Sequence, residues 1–226
     1  MISICVPTRG RPEIFKRFSD SIFDTASNPD NVEIVSYHDN DDDSPYEYKG
    51  NHVKIFADRY RTKISGMIND CAKVAKGDIY MYANDDLVWY TKGWDEIVQK
   101  TFDESDDKII YVFPNDQYYR SGWAQCGWVH KNWINAVGYF MPPYFSSMYW
   151  DGWINDIGEQ VNRMVFLREV VVKHLVVQDD KVHEEYLVKC KEDKNKELLN
   201  LPEMVEERRN DAQKLQKFIN DFNNRA

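Results

Sequence analysis

The chain has 226 residues, of which 42% are hydrophobic and 14% aromatic, which excludes a largely disordered polypeptide and allows one full domain with a terminal extension. Its formal net charge of −9 excludes a global basic field of the kind that draws proteins to polyanions, although Arg9, Arg11, Lys16 and Arg17 cluster early enough for a local basic groove. Cys5, Cys71, Cys126 and Cys190 lie far apart with no Cys-x-x-Cys pair, which argues against a disulfide framework or zinc site. The apolar run at Ile2–Val6 is too short for a signal peptide and no stretch approaches a membrane span, so a soluble, cytoplasmic protein is expected.

Ile2-Ser-Ile-Cys-Val6 reads as a central strand closed by the loop Pro7-Thr-Arg-Gly-Arg-Pro12. Pro12 suits a first helical turn, and Ile14, Phe15, Phe18, Ile22 and Phe23 recur at helical spacing behind it. After a turn at 28–31, Val32 to Tyr37 is a second buried strand, which runs into the acidic loop His38-Asp-Asn-Asp-Asp-Asp43. A short strand is expected over Val53 to Phe56. Ile64, Met67, Ile68, Cys71 and Ala75 then mark one face of a helix that Gly77 terminates. Ile79 to Ala83 is a short buried strand ending in Asn84, Asp85 and Asp86. A helix around Trp94, Ile97, Val98 and Phe102 and a strand over Lys108 to Phe113 follow.

Such alternation predicts a mainly parallel sheet covered on both faces. If the strands are parallel, the arginine loop and the two acidic strand ends share one edge, where ligands bind in open α/β sheets. Asn84, Asp85 and Asp86 together suit a hard divalent cation, Mg²⁺ or Mn²⁺, which takes few carboxylates plus substrate phosphates. The alternative is a solvated turn or a helix N-cap.

From Tyr118 the texture turns aromatic, with Trp123, Trp128, Trp133, Tyr139, Phe140, Tyr144, Phe145, Tyr149, Trp150 and Trp153 in a short span. These side chains build a core, and their apolar faces with polar tips also suit sugar rings and bases. A helix is expected over 151–162, one or two strands over 164–177 carrying His174, and a last helix over 201–222. Its stripe of Val205, Arg208, Ala212, Leu215, Ile219 and Phe222 either packs back on the domain or joins two copies of the chain, so a monomer and a homodimer both stay open. Asp41, Asp42 and Asp43 read as a solvated acidic loop.

From Ile2 to about Tyr186 this order resembles a GT-A-fold glycosyltransferase, close to the inverting family 2 type. Val6-Pro-Thr-Arg-Gly-Arg-Pro12 is similar to that family's Pro-Thr/Ser-x-x-Arg-Pro loop, and Asp39 stands where an aspartate reads the base. Asn69, Ala75, Gly77 and Asp78 follow the pattern that precedes the acidic strand. Asn84-Asp85-Asp86 holds the place of the Asp-x-Asp motif, with Asn84 the departure and the metal-binding last position, Asp86, intact. Asp151 lies where the general base stands, with Asp156 as second choice. His174 fits the histidine that completes the metal and diphosphate site.

The resemblance implies an α/β GT-A fold with a C-terminal helical extension. Residues 1–117 would form the nucleotide-sugar half, 118–186 an aromatic-rich acceptor half, and 187–226 a charged linker and helix. It implies transfer of a sugar from a nucleotide diphosphate to a hydroxyl acceptor, with Mn²⁺ or Mg²⁺ and with inversion. Donor contacts would come from Pro7, Thr8, Arg9, Arg11, Asp39, Lys63, Asn84 and Asp85, with Arg61 as a further candidate. The acceptor is a glycan or another hydroxyl compound, and a modified nucleic-acid base stays open. Bland alternatives remain for single residues: Arg9 and Arg11 as solvated charges, Asp151 and Asp156 as helix-start acids, His174 as a satisfied strand-end histidine. A nucleotidyltransferase would want a glycine-rich loop and a lysine after the first strand, where this chain has only Gly10 and no lysine before Lys16. A non-catalytic carbohydrate-binding protein that kept the fold is the third reading.

Overall fold

The computed structural model describes residues 1–57, 63–175 and 181–225. In chain order the elements are β1 (Ile2–Thr8), α1 (Pro12–Thr25), β2 (Val32–Asp39), β3 (Asn51–Ala57), α2 (Ile64–Val74), β4 (Ile79–Tyr82), β5 (Leu87–Trp89), α3 (Trp94–Asp103) and β6 (Tyr111–Asn115). They continue with β7 (Gly127–His130), α4 (Lys131–Val137), α5 (Trp150–Gln160), β8 (Met164–His174), α6 (Lys181–Glu192), α7 (Asn195–Leu199) and α8 (Pro202–Asn223). The eight strands form one sheet in the order β3-β2-β1-β4-β7-β6-β8-β5.

β3, β2, β1 and β4 run parallel, as the strand–helix alternation predicts. Pairing carries β1 to Thr8, opposite His38, and β2 to Asp39, so the arginine loop and the first acidic end leave the sheet level with each other. In the other half β6 and β8 also pair parallel, so the sheet is mainly parallel as expected, with antiparallel insertions. β7 lies antiparallel between β4 and β6, and β5 lies antiparallel on β8, so the sheet is mixed. Because β6 opposes β7 and β7 opposes β4, the C-terminal ends of β6 and β4 point the same way.

Three local readings also change. Asn84–Asp86 is a turn but a buried one, and not a helix N-cap; Leu87 N–H donates to the Asn84 carbonyl at 3.3 Å, and the tight turn feeds β5. Gly77 does not end α2, which stops at Val74 with the Ala75 N–H on the Cys71 carbonyl. Instead Gly77 allows a close approach, since a Cβ there would lie 2.5 Å from Ser3 Oγ. Ser3 Oγ accepts from Gly77 N–H at 2.8 Å and donates to Glu33 Oε1 at 2.6 Å, and that oxygen also takes the Lys76 N–H at 2.5 Å. The starts of β1, β2 and β4 are thereby stitched together. Finally, the charged stretch after 180 forms α6 and α7, and β8 is one strand; residues 176 and 177 of the expected strand lie outside the described residues.

The sheet is filled by aromatic residues: Trp94 stacks on Trp128 with 6.0 Å between centroids, and Trp133, Trp153, Phe15 and Phe18 are fully buried. α8 packs on α4 and α5, burying Ala212, Leu215 and Ile219, while Val205 is exposed and Phe222 half-buried. Each such Leu or Ile stabilises by about 1.5–3 kcal/mol relative to exposure. The stripe on the last helix is therefore covered by its own chain. Among the described residues no helix is long and apolar enough to cross a membrane.

Candidate active site

At the C-terminal edge of β1, β2 and β4 the side chains interlock. Thr8 Oγ1 donates to Asp85 Oδ2 at 2.7 Å. Arg11 spans both acids, with Nη1 2.7 Å from Asp85 Oδ1 and Nη2 3.2 Å from Asp86 Oδ2. His174, the last residue of β8, brings Nε2 to 2.8 Å from Asp86 Oδ1, while its Nδ1 lies 3.3 Å from Gln125 Oε1. Leu175 N–H bonds the Asp86 carbonyl at 3.0 Å, which fixes the β8 end against the turn. Burial pushes the Asp86 carboxyl up, but the His174 and Arg11 contacts outweigh it and hold it below its ordinary value. Burial likewise pushes His174 down, and Asp86 reverses the sign, so the imidazole sits above its ordinary value.

The second acidic end closes on the arginine loop. Arg9 Nη1 lies 2.9 Å from Asp39 Oδ2 and 2.6 Å from Asp41 Oδ1. Asp42 takes the Gly10 N–H at 3.0 Å and the Tyr46 hydroxyl at 2.7 Å. Asp41 and Asp42 thus also brace the arginine loop, while Asp41 and Asp43 stay exposed as expected of a solvated acidic loop. Nor do the early basic residues form a free groove: Arg9 and Arg11 pair as described, Lys16 pairs with Asp20 at 2.8 Å and Arg17 reaches the Leu175 carbonyl at 3.2 Å. Asp39 Oδ1 is buried with no donor among the described residues.

Asp151 stands in the first turn of α5, beyond the end of β4. Trp150 packs edge-on against Tyr82, 4.6 Å between centroids, and the Tyr82 hydroxyl meets that of Tyr111. Trp123 Nε1 donates to Asp151 Oδ2 at 3.0 Å. Burial raises the Asp151 carboxyl, and the Trp123 bond opposes it only in part. The residue before this turn, Tyr149, has φ 78°, a left-handed conformation that costs a non-glycine residue about 1–2 kcal/mol and recurs at functional sites.

Asp156 lies elsewhere. Five residues on from Asp151, it is turned about 140° around the helix, and Arg208 of α8 pairs with it. Lys63 is exposed and donates to the Tyr144 carbonyl at 2.8 Å. Pro7 pairs with Tyr37 inside the sheet, and Asn84 contributes the carbonyl of the turn. Arg61 lies outside the described residues. Gln125 was missed by sequence reasoning and carries no motif; Trp123 was visible only as one aromatic residue among many.

For a metal ion, the chain supplies two donors in reach of each other. Among the described residues no three His, Cys, Asp or Glu side chains gather to hold one alone. Asp86 Oδ1 and His174 Nε2, at 2.8 Å, have about the spacing of neighbouring donors around an ion bound at ~2.1 Å, the rest coming from phosphate and water. A carboxylate with an imidazole suits Mn²⁺ better than Mg²⁺. The residues fit.

A mainly parallel sheet with aspartates along one edge, and a carboxylate-bearing helix beyond it, defines the GT-A class of glycosyltransferase folds. Residues 3–182 match the family model described as Glycosyl transferase family 2, and the chain belongs to that family. Among solved structures it is similar to the mannosyltransferase PcManGT from Pyrobaculum calidifontis in complex with GDP-Man and Mn²⁺ (TM-score 0.61, 11% identity, 97% of this chain and 74% of that one). It is similar also to S. aureus TarS 1–349 in complex with UDP-GlcNAc (TM-score 0.62, 11% identity, 97% and 71%). Against a longer S. aureus TarS chain the TM-score is 0.58 at 13% identity, with 97% of this chain covered but only 43% of that one. No curated protein matches. At these identities the structural likeness bears on the fold.

Proposed function

We propose that this protein transfers a sugar from a nucleotide-diphosphate donor to a hydroxyl acceptor, with inversion and with Mn²⁺ or Mg²⁺, in the cytoplasm. The observation that carries the reading is the convergence of Asp39, Asp85 and Asp86 on one sheet edge with Asp151 beyond it. Residues 1–117 hold the donor and 118–186 face the acceptor. Asp39 Oδ1, a buried acceptor with no donor among the described residues, would take an N–H from the base, since leaving it unsatisfied costs about 1–3 kcal/mol. Arg9 and Arg11 provide planar donors for the diphosphate. Asp86 and His174 would hold the metal, which when bound neutralises charge developing on the leaving diphosphate.

Asp151 takes the proton of the attacking hydroxyl. Burial leaves its carboxylate more basic than an exposed one, and Trp123 fixes the orientation of Oδ2. One base assisting one displacement inverts the anomeric centre. The test is Asp151→Asn, assayed with UDP-GlcNAc and GDP-mannose in the presence of Mn²⁺. Donor binding by calorimetry should persist while turnover falls by about 10² or more, and NMR of the wild-type product should show the inverted anomer. Undiminished turnover in the variant, or a retained anomer, would refute the mechanism.

A further inference from the structure

The loop between β6 and β7 exposes two aromatic rings that the fold does not use. Tyr118 is 79% and Tyr119 46% exposed, their rings edge-to-face with centroids 4.6 Å apart. Such exposure would suggest a slack loop, but this one is braced throughout. Asp116 Oδ1 accepts the backbone N–H groups of Tyr118, Tyr119 and Arg120 at 2.8–2.9 Å, and Asn115 Oδ1 takes that of Gln117 at 2.9 Å. Asn115 Nδ2 ties the loop's start to the Arg168 carbonyl at 3.1 Å. Its end is clamped to α5, where Asn155 exchanges two bonds with the Ala124 backbone, at 3.1 and 2.8 Å. Gln117 and Arg120 hold φ of 63° and 54°, strain that persists only where surroundings over-determine the backbone. A rigid loop that presents two aromatic residues to water is built as a contact surface.

Its position and charge indicate what it contacts. β6 ends on the same sheet edge as β4, and the loop runs into Trp123, the residue bonded to Asp151. Tyr119 and Trp123 are four residues apart, so their Cα atoms are at most about 14 Å apart, and the Gly122 N–H on the Tyr119 carbonyl at 3.0 Å folds the segment tighter. Residues 115–123 carry one acid, Asp116, and one base, Arg120, and so offer no field for a polyanion. Rings with an apolar face and a hydroxyl tip suit a ligand that is apolar on its faces and polar around its rim. We infer that Tyr118 and Tyr119 form a stacking platform for a neutral saccharide acceptor, which lies along the braced loop with one hydroxyl at Asp151. This rests on the glycosyltransferase reading and adds the acceptor's class.

The experiment is saturation-transfer NMR on the full chain with maltose, cellobiose and diacetylchitobiose, and with a thymidine oligonucleotide in parallel. It compares wild type with Tyr118→Ala/Tyr119→Ala and Tyr118→Phe/Tyr119→Phe. Donor binding to UDP-GlcNAc and GDP-mannose is measured on the same samples. At least one disaccharide should bind wild type, bind the alanine variant about tenfold or more weakly, and bind the phenylalanine variant nearly as well, with donor affinity unchanged. Equal saccharide signals in wild type and the alanine variant overturn the platform, as does tyrosine-dependent binding of the oligonucleotide without the saccharides. A wild type that binds a saccharide through these tyrosines but neither donor would refute the transferase reading and leave the platform standing.

Discussion

Replacing Arg208 separates the structural acid on α5, Asp156, from the one proposed as general base, Asp151. Arg208 is buried at 7% exposure and makes three contacts: its Nε pairs with Asp156, its Nη1 donates to the Leu199 carbonyl at 2.7 Å, and its guanidinium lies 5.4 Å from the centroid of Trp153. A charged hydrogen bond contributes about 1.5–3 kcal/mol and a cation–π contact about 0.5–2 kcal/mol. The Asp156 side chain is 39% exposed, so solvent screens the ion pair to about 1 kcal/mol or less. These contributions share one side chain and do not simply add. Arg208→Met, which keeps most of the stem, should therefore cost about 2–3 kcal/mol, a melting shift of roughly 4–12 °C for a chain of this size. Asp156→Asn leaves the Leu199 and Trp153 contacts in place and should cost about 1 kcal/mol, with a coupling of about 0.5–1 kcal/mol in the double-mutant cycle. Denaturant melts of the four proteins give these values, and turnover measured beside them should stay within a few-fold in Asp156→Asn. An Arg208→Met protein as stable as wild type would refute the packing argument. An Asp156→Asn protein with unchanged melting but no turnover would move the general base to Asp156.

Asp86→Ala should abolish the Mn²⁺-dependent part of nucleotide binding measured by calorimetry with and without chelator; identical isotherms would reject the metal site. His38 and His52 are held neutral, first by burial, at about 4 and about 3, and both lie 2.7 Å from Ser36 Oγ. The native state thus binds fewer protons than the unfolded one, so stability should fall as pH drops below ~6.5 and keep falling towards 4, partly countered by His174, whose raised value favours the fold at low pH. Melting at pH 5 should lie several degrees below that at pH 7.5, with a smaller drop in His52→Phe; a flat profile between those values would contradict the burial of neutral imidazoles. Leu215→Glu with Ile219→Glu places two charges where exposure is 0% and 4%, so the melting temperature should collapse, and an unchanged melt would show that α8 does not pack as described.

Most of the N-terminal half of the fold was legible because its signals are local. Apolar runs bounded by Pro, Gly and Asp gave β1, β2 and β4, and their parallel pairing brought Thr8, Asp39 and Asp85 to one edge. Two strands stayed hidden: β7 because Gly127-Trp-Val-His130 is four residues inside an aromatic stretch with no period of its own, and β5 because Leu87-Val-Trp89 is shorter still. Gly77 looked like a helix stop, since sequence shows a missing side chain but not the Ser3 hydroxyl that takes its place. The role of Arg208 illustrates the same limit: it was visible only as a member of the stripe on the last helix, whereas Asp156, its ion-pair partner, lies 52 residues back along the chain. Periodicity reports which face of an element is buried, and says nothing of what meets it there.

The knot of Ser3, Glu33 and Gly77 sits at the far end of the strands from the acids, yet it sets their alignment. Parallel strands advance about 3.3 Å per residue, so a slip of one position at the start of β4 would carry Asp85 and Asp86 by that distance relative to Thr8 and Arg11, beyond hydrogen-bond reach, and would turn inward-facing side chains outward. Ser3 with its 2.6 and 2.8 Å bonds acts as a common datum from which three strands are measured. Any side chain at Gly77 would displace that datum, and the error would reappear undiminished at the opposite edge, where Asp85 and Asp86 have to meet Thr8 and Arg11 at one level.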